Sequence, residues 1–173
     1  YYTHALPYEE ALHVPLIVKW PEGAYAGRRV EQRVSTLDVL PTILGAMGRD
    51  IPDGLDGRDL FPLAVDPEAD HPTTLVAEHG GNRRFHKTYT EGDWKLFLTV
   101  EKGEVTRRLF DLAVDPGELA DVGPRYPERL EDLTRKLWAV CDGEDKLVDR
   151  KPVGTDKVDE KTREQLRSLG YIR

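Results

Sequence analysis

Tyr8-Glu9-Glu10-Ala11-Leu12-His13-Val14-Pro15-Leu16-Ile17-Val18-Lys19-Trp20-Pro21 is the stretch on which the reading of this chain turns. Its centre, Val14 to Val18, is a short continuous apolar run closed by Trp20-Pro21, the pattern of a strand buried on both faces. Such a strand needs neighbouring strands beside it and helices above and below. Only seven residues precede Tyr8, so the stretch reads as the interior of a larger α/β layer and not as its beginning.

The residues that follow continue an α/β pattern. Ser35 or Asp38 can cap a helix, and Pro41 is tolerable in its first turn, where the missing N–H is not required. Leu40, Ile43, Leu44 and Met47 form one predicted apolar stripe, and Gly48 stops the helix. Pro52, Gly54, Gly57, Pro62, Pro67 and Pro72 then mark a long surface connection with one turn of helix at Leu60 to Ala64.

Beyond it the pattern becomes α+β. Thr73 to Glu78, His86 to Val100 (broken at Gly92-Asp93) and Val105 to Asp111 read as strands, the last two joined as a hairpin through Glu101-Lys102-Gly103-Glu104. Asp115-Pro116-Gly117-Glu118 is turn chemistry. Pro127 and Glu128 open an amphipathic helix with Leu130, Leu133, Leu137, Val140 and Cys141 at helical spacing. Residues 142 to 163 are dominated by charge and lead to a short terminal helix. The expected organisation is an α/β portion over 1–50, a connection over 51–72, an antiparallel-sheet-plus-helix subdomain over 73–141, and a charged excursion with a terminal helix over 142–173.

Composition narrows the function classes. The 173 residues hold 25 Lys and Arg against 32 Asp and Glu, a net charge of -7, which argues against a general nucleic-acid binder because a phosphate backbone would be repelled. No apolar run has membrane-spanning length, and the first residues lack the zones of a signal peptide. A single cysteine precludes an internal disulfide.

Several signatures occur in a recognisable order. They are His4 four positions before Tyr8-Glu9, the Val14 to Val18 run, Arg28-Arg29-Val30, Val34 to Gly45, and Leu55-Asp56-Gly57-Arg58-Asp59-Leu60. Gly92-Asp93-Trp94-Lys95-Leu96, Leu109-Phe110-Asp111-Leu112 with Asp115-Pro116-Gly117-Glu118, and Leu166-Arg167-Ser168-Leu169-Gly170-Tyr171 follow. Together they resemble the back third of the sulfatase family, within the alkaline-phosphatase superfamily. The resemblance implies an α/β fragment over 1–50, the last strand and helix of an alkaline-phosphatase-like sheet. An α+β C-terminal subdomain with a small antiparallel sheet packed on a helix would follow it. It also implies hydrolysis of sulfate esters, with a sulfated small molecule or carbohydrate as substrate.

In that family the nucleophile is a formylglycine made from a Cys or Ser in a Cys/Ser-x-Pro/Ala-x-Arg context, assisted by a divalent cation, Ca²⁺ first among them. Cys141 stands in Cys141-Asp142-Gly143-Glu144-Asp145, without Pro or Arg at the required offsets, and reads as a small core residue. Asp53, Asp56 and Asp59 do not match a Ca²⁺ loop, so no metal ligand is assigned in the chain. Nucleophile and metal site are expected in a missing N-terminal catalytic portion, and this chain alone is expected to be inactive. A phosphodiesterase or phosphonate hydrolase of the same superfamily, or a non-catalytic binding module, is the alternative.

The resemblance makes His4 the candidate catalytic residue, a donor to the sulfate oxygens or the ester leaving oxygen. His79 and Arg83, in His79-Gly80-Gly81-Asn82-Arg83-Arg84-Phe85-His86-Lys87, are the candidate substrate-binding residues. That cluster offers cationic and donor groups suited to a sulfate or sugar acid, against the plainer expectation of a solvated basic hairpin end. Glu9 and Glu10 point in different directions and suit a helix surface or a structural salt bridge. His13 is expected to pack or hydrogen-bond beside the strand.

Overall fold

The computed structural model describes residues 6–71, 74–81 and 84–141. His4, Arg83 and the charged excursion from residue 142 lie outside the described residues. The front carries three short helices, α1 (Glu9–Leu12), α2 (Val39–Ala46) and α3 (Phe61–Val65). Ser35 opens the turn before α2 with a capping box: its Oγ accepts from Leu37 N at 3.2 Å, and Asp38 Oδ2 accepts from Ser35 N at 2.7 Å. Pro41 falls in the first turn of α2 and Gly48, at φ +62°, follows its end, as predicted.

The face that α2 buries is not the predicted one. Leu40, Ile43 and Met47 are exposed, while Asp38, Pro41 and Thr42 are buried. Asp38 Oδ1 accepts from Arg58 N at 2.8 Å, and Thr42 Oγ1 accepts from Leu60 N at 2.9 Å while donating to Asp38 O at 2.6 Å. These polar side chains satisfy backbone donors of the connection that would otherwise be stranded. The apolar stripe is left facing outward.

Val14 to Val18 also departs from expectation. The run belongs to no strand and is exposed throughout, Ile17 to 91%. A strand is made by its ladder, and among the described residues the sheet consists of later strands that pair only with one another. The α/β layer predicted for 1–50 is therefore not formed as a sheet within the described chain. The segment after the run is held by side chains instead. Trp20 and Tyr25 pack edge-on to Phe61 at 5.4 and 5.7 Å, and Gln32 donates to Pro67 O and Ala69 O.

The α+β part forms as expected. Strands β1 (Thr74–Gly81), β2 (Arg84–Glu91), β3 (Trp94–Glu101) and β4 (Glu104–Asp111) make an antiparallel meander in the order β1-β2-β3-β4. Two-residue turns set the register. Gly92, at φ +59°, and Asp93 join Glu91 to Trp94, and Lys102 and Gly103, both with positive φ, join Glu101 to Glu104.

The meander then divides its side chains by alternation. One face, with Tyr89, Leu96, Leu98, Val100 and Leu109, closes against Leu133 and Leu137 of α4 (Pro127–Val140). Cys141 packs at the margin of this core, while Val140 is exposed. The other face carries Phe97 and Phe110, which with Leu112 are covered by Leu6 and Tyr8 from the front of the chain.

Candidate functional site

The front segment is seated on the second face by aromatic and ionic contacts. Tyr8 stacks on Phe97 at 4.8 Å, and the Arg108 guanidinium lies 4.7 Å from the Phe97 ring and 5.6 Å from the Tyr8 ring. Lys95, fully buried in β3, donates from Nζ to Glu9 Oε1 at 2.9 Å. Glu118, also buried, accepts the Glu9 backbone N–H at Oε2. Its Oε1 sits 2.9 Å from Lys95 Nζ without hydrogen-bond alignment, so that contact is coulombic.

Glu9 thus has the structural salt-bridge role expected of it, and Glu10 is exposed. His13 is exposed as well, which removes the packing role expected of it, because the strand it was to precede is not formed. His4 lies four positions before Tyr8, outside the described residues.

A second locus lies at the far end of β1 and β2. Glu78, His79, Gly80, Phe85 and His86 line a cavity of about 70 Å³. His79 and His86 are register partners across the two strands. Gly80 makes the close approach possible: at φ +131°, a Cβ there would meet Arg84 O at 2.5 Å.

The predicted cationic cluster is only partly gathered. His79 is exposed beside the buried His86, whose Nδ1 lies 2.9 Å from Thr99 Oγ1. Lys87 points to the opposite face, where it is buried, bonded to Glu78 and 3.3 Å from Cys141 Sγ. Arg84 faces Glu101 at 3.5 Å. Arg83 is outside the described residues. A wider groove of about 530 Å³ between β4 and α4 is lined by charges already paired, Arg107 with Glu131 at 2.8 Å and Arg135 with Asp132. Among the described residues no group of three His, Cys, Asp or Glu is placed to hold a metal ion.

Burial first, and then the Arg84, His79 and Arg108 charges, push the His86 pKa below its ordinary 6.5, with Glu101 opposing them. The folded chain therefore binds fewer protons at His86 than the unfolded chain does. This contribution to stability is present above pH 6.5 and is lost as pH falls from 6.5 toward the folded value. His86→Gln is expected to flatten the loss of stability between neutral and mildly acidic pH. Urea midpoints that fall equally in parent and variant would refute it.

The family model described as N-sulphoglucosamine sulphohydrolase, C-terminal, matches residues 1–142. Arylsulfatase K of Xenopus laevis is 32% identical over 145 residues, covering 78% of this chain and 27% of the relative. Arylsulfatase K of Homo sapiens is 32% identical over 142 residues, covering 77% of this chain and 26% of the relative. The chain spans about a quarter of the length of the curated relatives it matches.

Among solved structures, Ps i-CgsB is similar with a TM-score of 0.55 at 21% identity, over 89% of this chain and 33% of that one. BT4656, solved with its substrate D-glucosamine-2-N,6-O-disulfate, is similar with a TM-score of 0.53 at 19% identity, over 70% of this chain and 25% of that one. Both likenesses concern the fold, and they agree with the meander-and-helix architecture. With a family match extending over residues 1–142 of 173, the chain belongs to the N-sulphoglucosamine sulphohydrolase C-terminal family, the C-terminal region of sulfatases.

Proposed function

We propose that this chain is the C-terminal part of a sulfuric-ester hydrolase acting on a sulfated small molecule or carbohydrate. The observation that carries the proposal is the family match over residues 1–142, which includes His4, Tyr8-Glu9 and the whole meander. His4 donates a hydrogen bond to the sulfate or to the departing oxygen, and so acts mostly on charge that develops in the transition state. His79 and Arg83, at the β1–β2 end, contact the substrate. The described residues do not themselves make a metal site. In this proposal a formylglycine nucleophile and a divalent cation, Ca²⁺ first among candidates, are supplied by residues outside this chain.

The outward apolar surface supports the same proposal. Val14, Leu16, Ile17 and Val18, with Leu40 and Ile43 of α2 and Met47 just after it, are more exposed than large apolar side chains are in a finished fold. Residues 1–50 complete the catalytic α/β domain of the whole protein, where this surface is covered. Residues 51–72 connect them to the subdomain over 73–141.

Side-by-side assay of the complete protein and of the 173-residue chain tests this. The complete protein with Ca²⁺ is expected to hydrolyse an aryl sulfate, and the chain alone is expected to give no turnover above a protein-free control. Metal-dependent turnover by the chain alone would overturn the proposal. So would a complete protein that cleaves an aryl phosphodiester or phosphonate ester and leaves the sulfate intact.

A further inference from the structure

His86 stands between two register partners, His79 on β1 and Thr99 on β3, so alternation places the three side chains on one face of the sheet. Its ring is fixed from two sides. Thr99 Oγ1 lies 2.9 Å from Nδ1, and the Phe97 ring packs against it at 5.5 Å with a tilt of 59°. The residue is only 4% exposed, yet among the described residues its Nε2 has no hydrogen-bond partner. A buried polar atom is seldom left so, and this one belongs to a ring that lines the cavity at the β1–β2 end.

The cavity restricts what Nε2 can meet. At about 70 Å³ it admits a hydroxyl or a similar small group and no sugar ring. Its lining includes Glu78 beside the two histidines, so it is not the purely cationic pocket that suits a sulfate. Burial and the charges of Arg84, His79 and Arg108 keep the His86 ring uncharged at neutral pH. A neutral imidazole presents Nε2 as a donor in one tautomer and as an acceptor in the other. A hydroxyl answers both, whereas a sulfate oxygen only accepts.

We propose that His86 is a specificity-determining residue whose Nε2 hydrogen-bonds a hydroxyl of a sulfated sugar through the β1–β2 cavity, with Thr99 holding the ring in place. This deepens the sulfuric-ester hydrolase reading above and rests on it, taking a carbohydrate as the substrate class.

The complete protein with Ca²⁺ is assayed on para-nitrophenyl sulfate and on monosulfated methyl glucosides, glucosaminides and glucuronides, and at least one sugar is expected to turn over. His86→Asn keeps a partner for Thr99 but loses the reach of Nε2. It should lower the ratio of kcat/KM on that sugar to kcat/KM on the aryl sulfate about tenfold. His86→Gln carries an amide to the place of Nε2 and should recover most of the ratio. A monodeoxy analogue that lacks the bonded hydroxyl should be handled alike by parent and His86→Asn, which general damage to the fold would not produce. Thr99→Val keeps the shape of the side chain and releases the ring; it should lower the ratio about threefold and serves if His86→Asn folds poorly.

A ratio at the parent value in whichever of these two variants folds would overturn the role of His86 and leave the sulfatase reading in place. So would a complete protein that cleaves the aryl sulfate and none of the sugars. No turnover of any sulfate ester would overturn the sulfatase reading itself, and the role of His86 with it.

Discussion

His4→Ala in the complete protein is expected to lower turnover of an aryl sulfate by about 10² or more while leaving thermal stability nearly unchanged. A donor to the sulfate or leaving oxygen gains its strength as charge accumulates on that oxygen, so its removal falls on kcat more than on folding. His4→Lys should retain more activity than His4→Ala, because an ammonium still donates to an anion from a similar reach. His13→Ala is the comparison: His13 is exposed, so its loss should shift stability by less than about 0.5 kcal/mol and spare turnover. Steady-state kinetics and thermal unfolding of the three variants decide the matter. Parent-like turnover in all three would make His4 an ordinary histidine.

Lys95→Met is expected to destabilise the fold by about 3–5 kcal/mol, the scale for removing one partner of a buried ion pair. The substitution keeps the volume of the side chain and removes its charge. Glu118, only 1% exposed at its side chain, and Glu9, at 16%, are then left facing each other with no cation between them. Urea unfolding of parent and variant measures the difference, and a loss below about 1 kcal/mol would show that water reaches the two carboxylates after all. Breaking the surface pair Arg29 with Glu31 should by contrast be nearly silent, since both side chains are more than 80% exposed.

What could be read from the sequence was local. The Gly92-Asp93 break, the Lys102-Gly103 turn, the capping by Ser35 and the Pro127 start of α4 each depend on a few adjacent residues whose backbone preferences decide the outcome. The meander follows from these, because turns of two residues leave its strands no other pairing. What depended on partners was not legible. The Val14 to Val18 run has the composition of a buried strand, yet burial is conferred by neighbours that the described chain does not contain. Periodicity identified the apolar side of α2 without telling which side would be covered, and the backbone donors of Arg58 and Leu60 drew its polar side inward.

The candidate site divides in the same way. Alternation along β2 puts His86 and Lys87 on opposite faces, so the cationic run His79 to Lys87 was bound to be split once its strand character was accepted. The Lys95 cluster left no such local mark. Lys95 is 86 positions from Glu9, and Glu118 is 109 positions from it, so no sequence window contains both ends. A lysine set among Trp94, Leu96, Phe97 and Leu98 was the one available signal, since a strand interior seldom admits an unpaired charge.

That separation along the chain also orders the events of folding. Each strand of the meander pairs with its sequence neighbour through a turn of two residues or a short hairpin end, and α4 follows after a brief connection, so loop closure within residues 74–140 costs little entropy. The contacts of Glu9 close loops of 86 and 109 residues and gain nothing until β3 and the Glu118 turn already exist. The sheet and its helix can therefore assemble rapidly, with the front of the chain docking afterwards onto a finished surface. Lys95, enclosed in the native state, spends the interval between those two steps open to water.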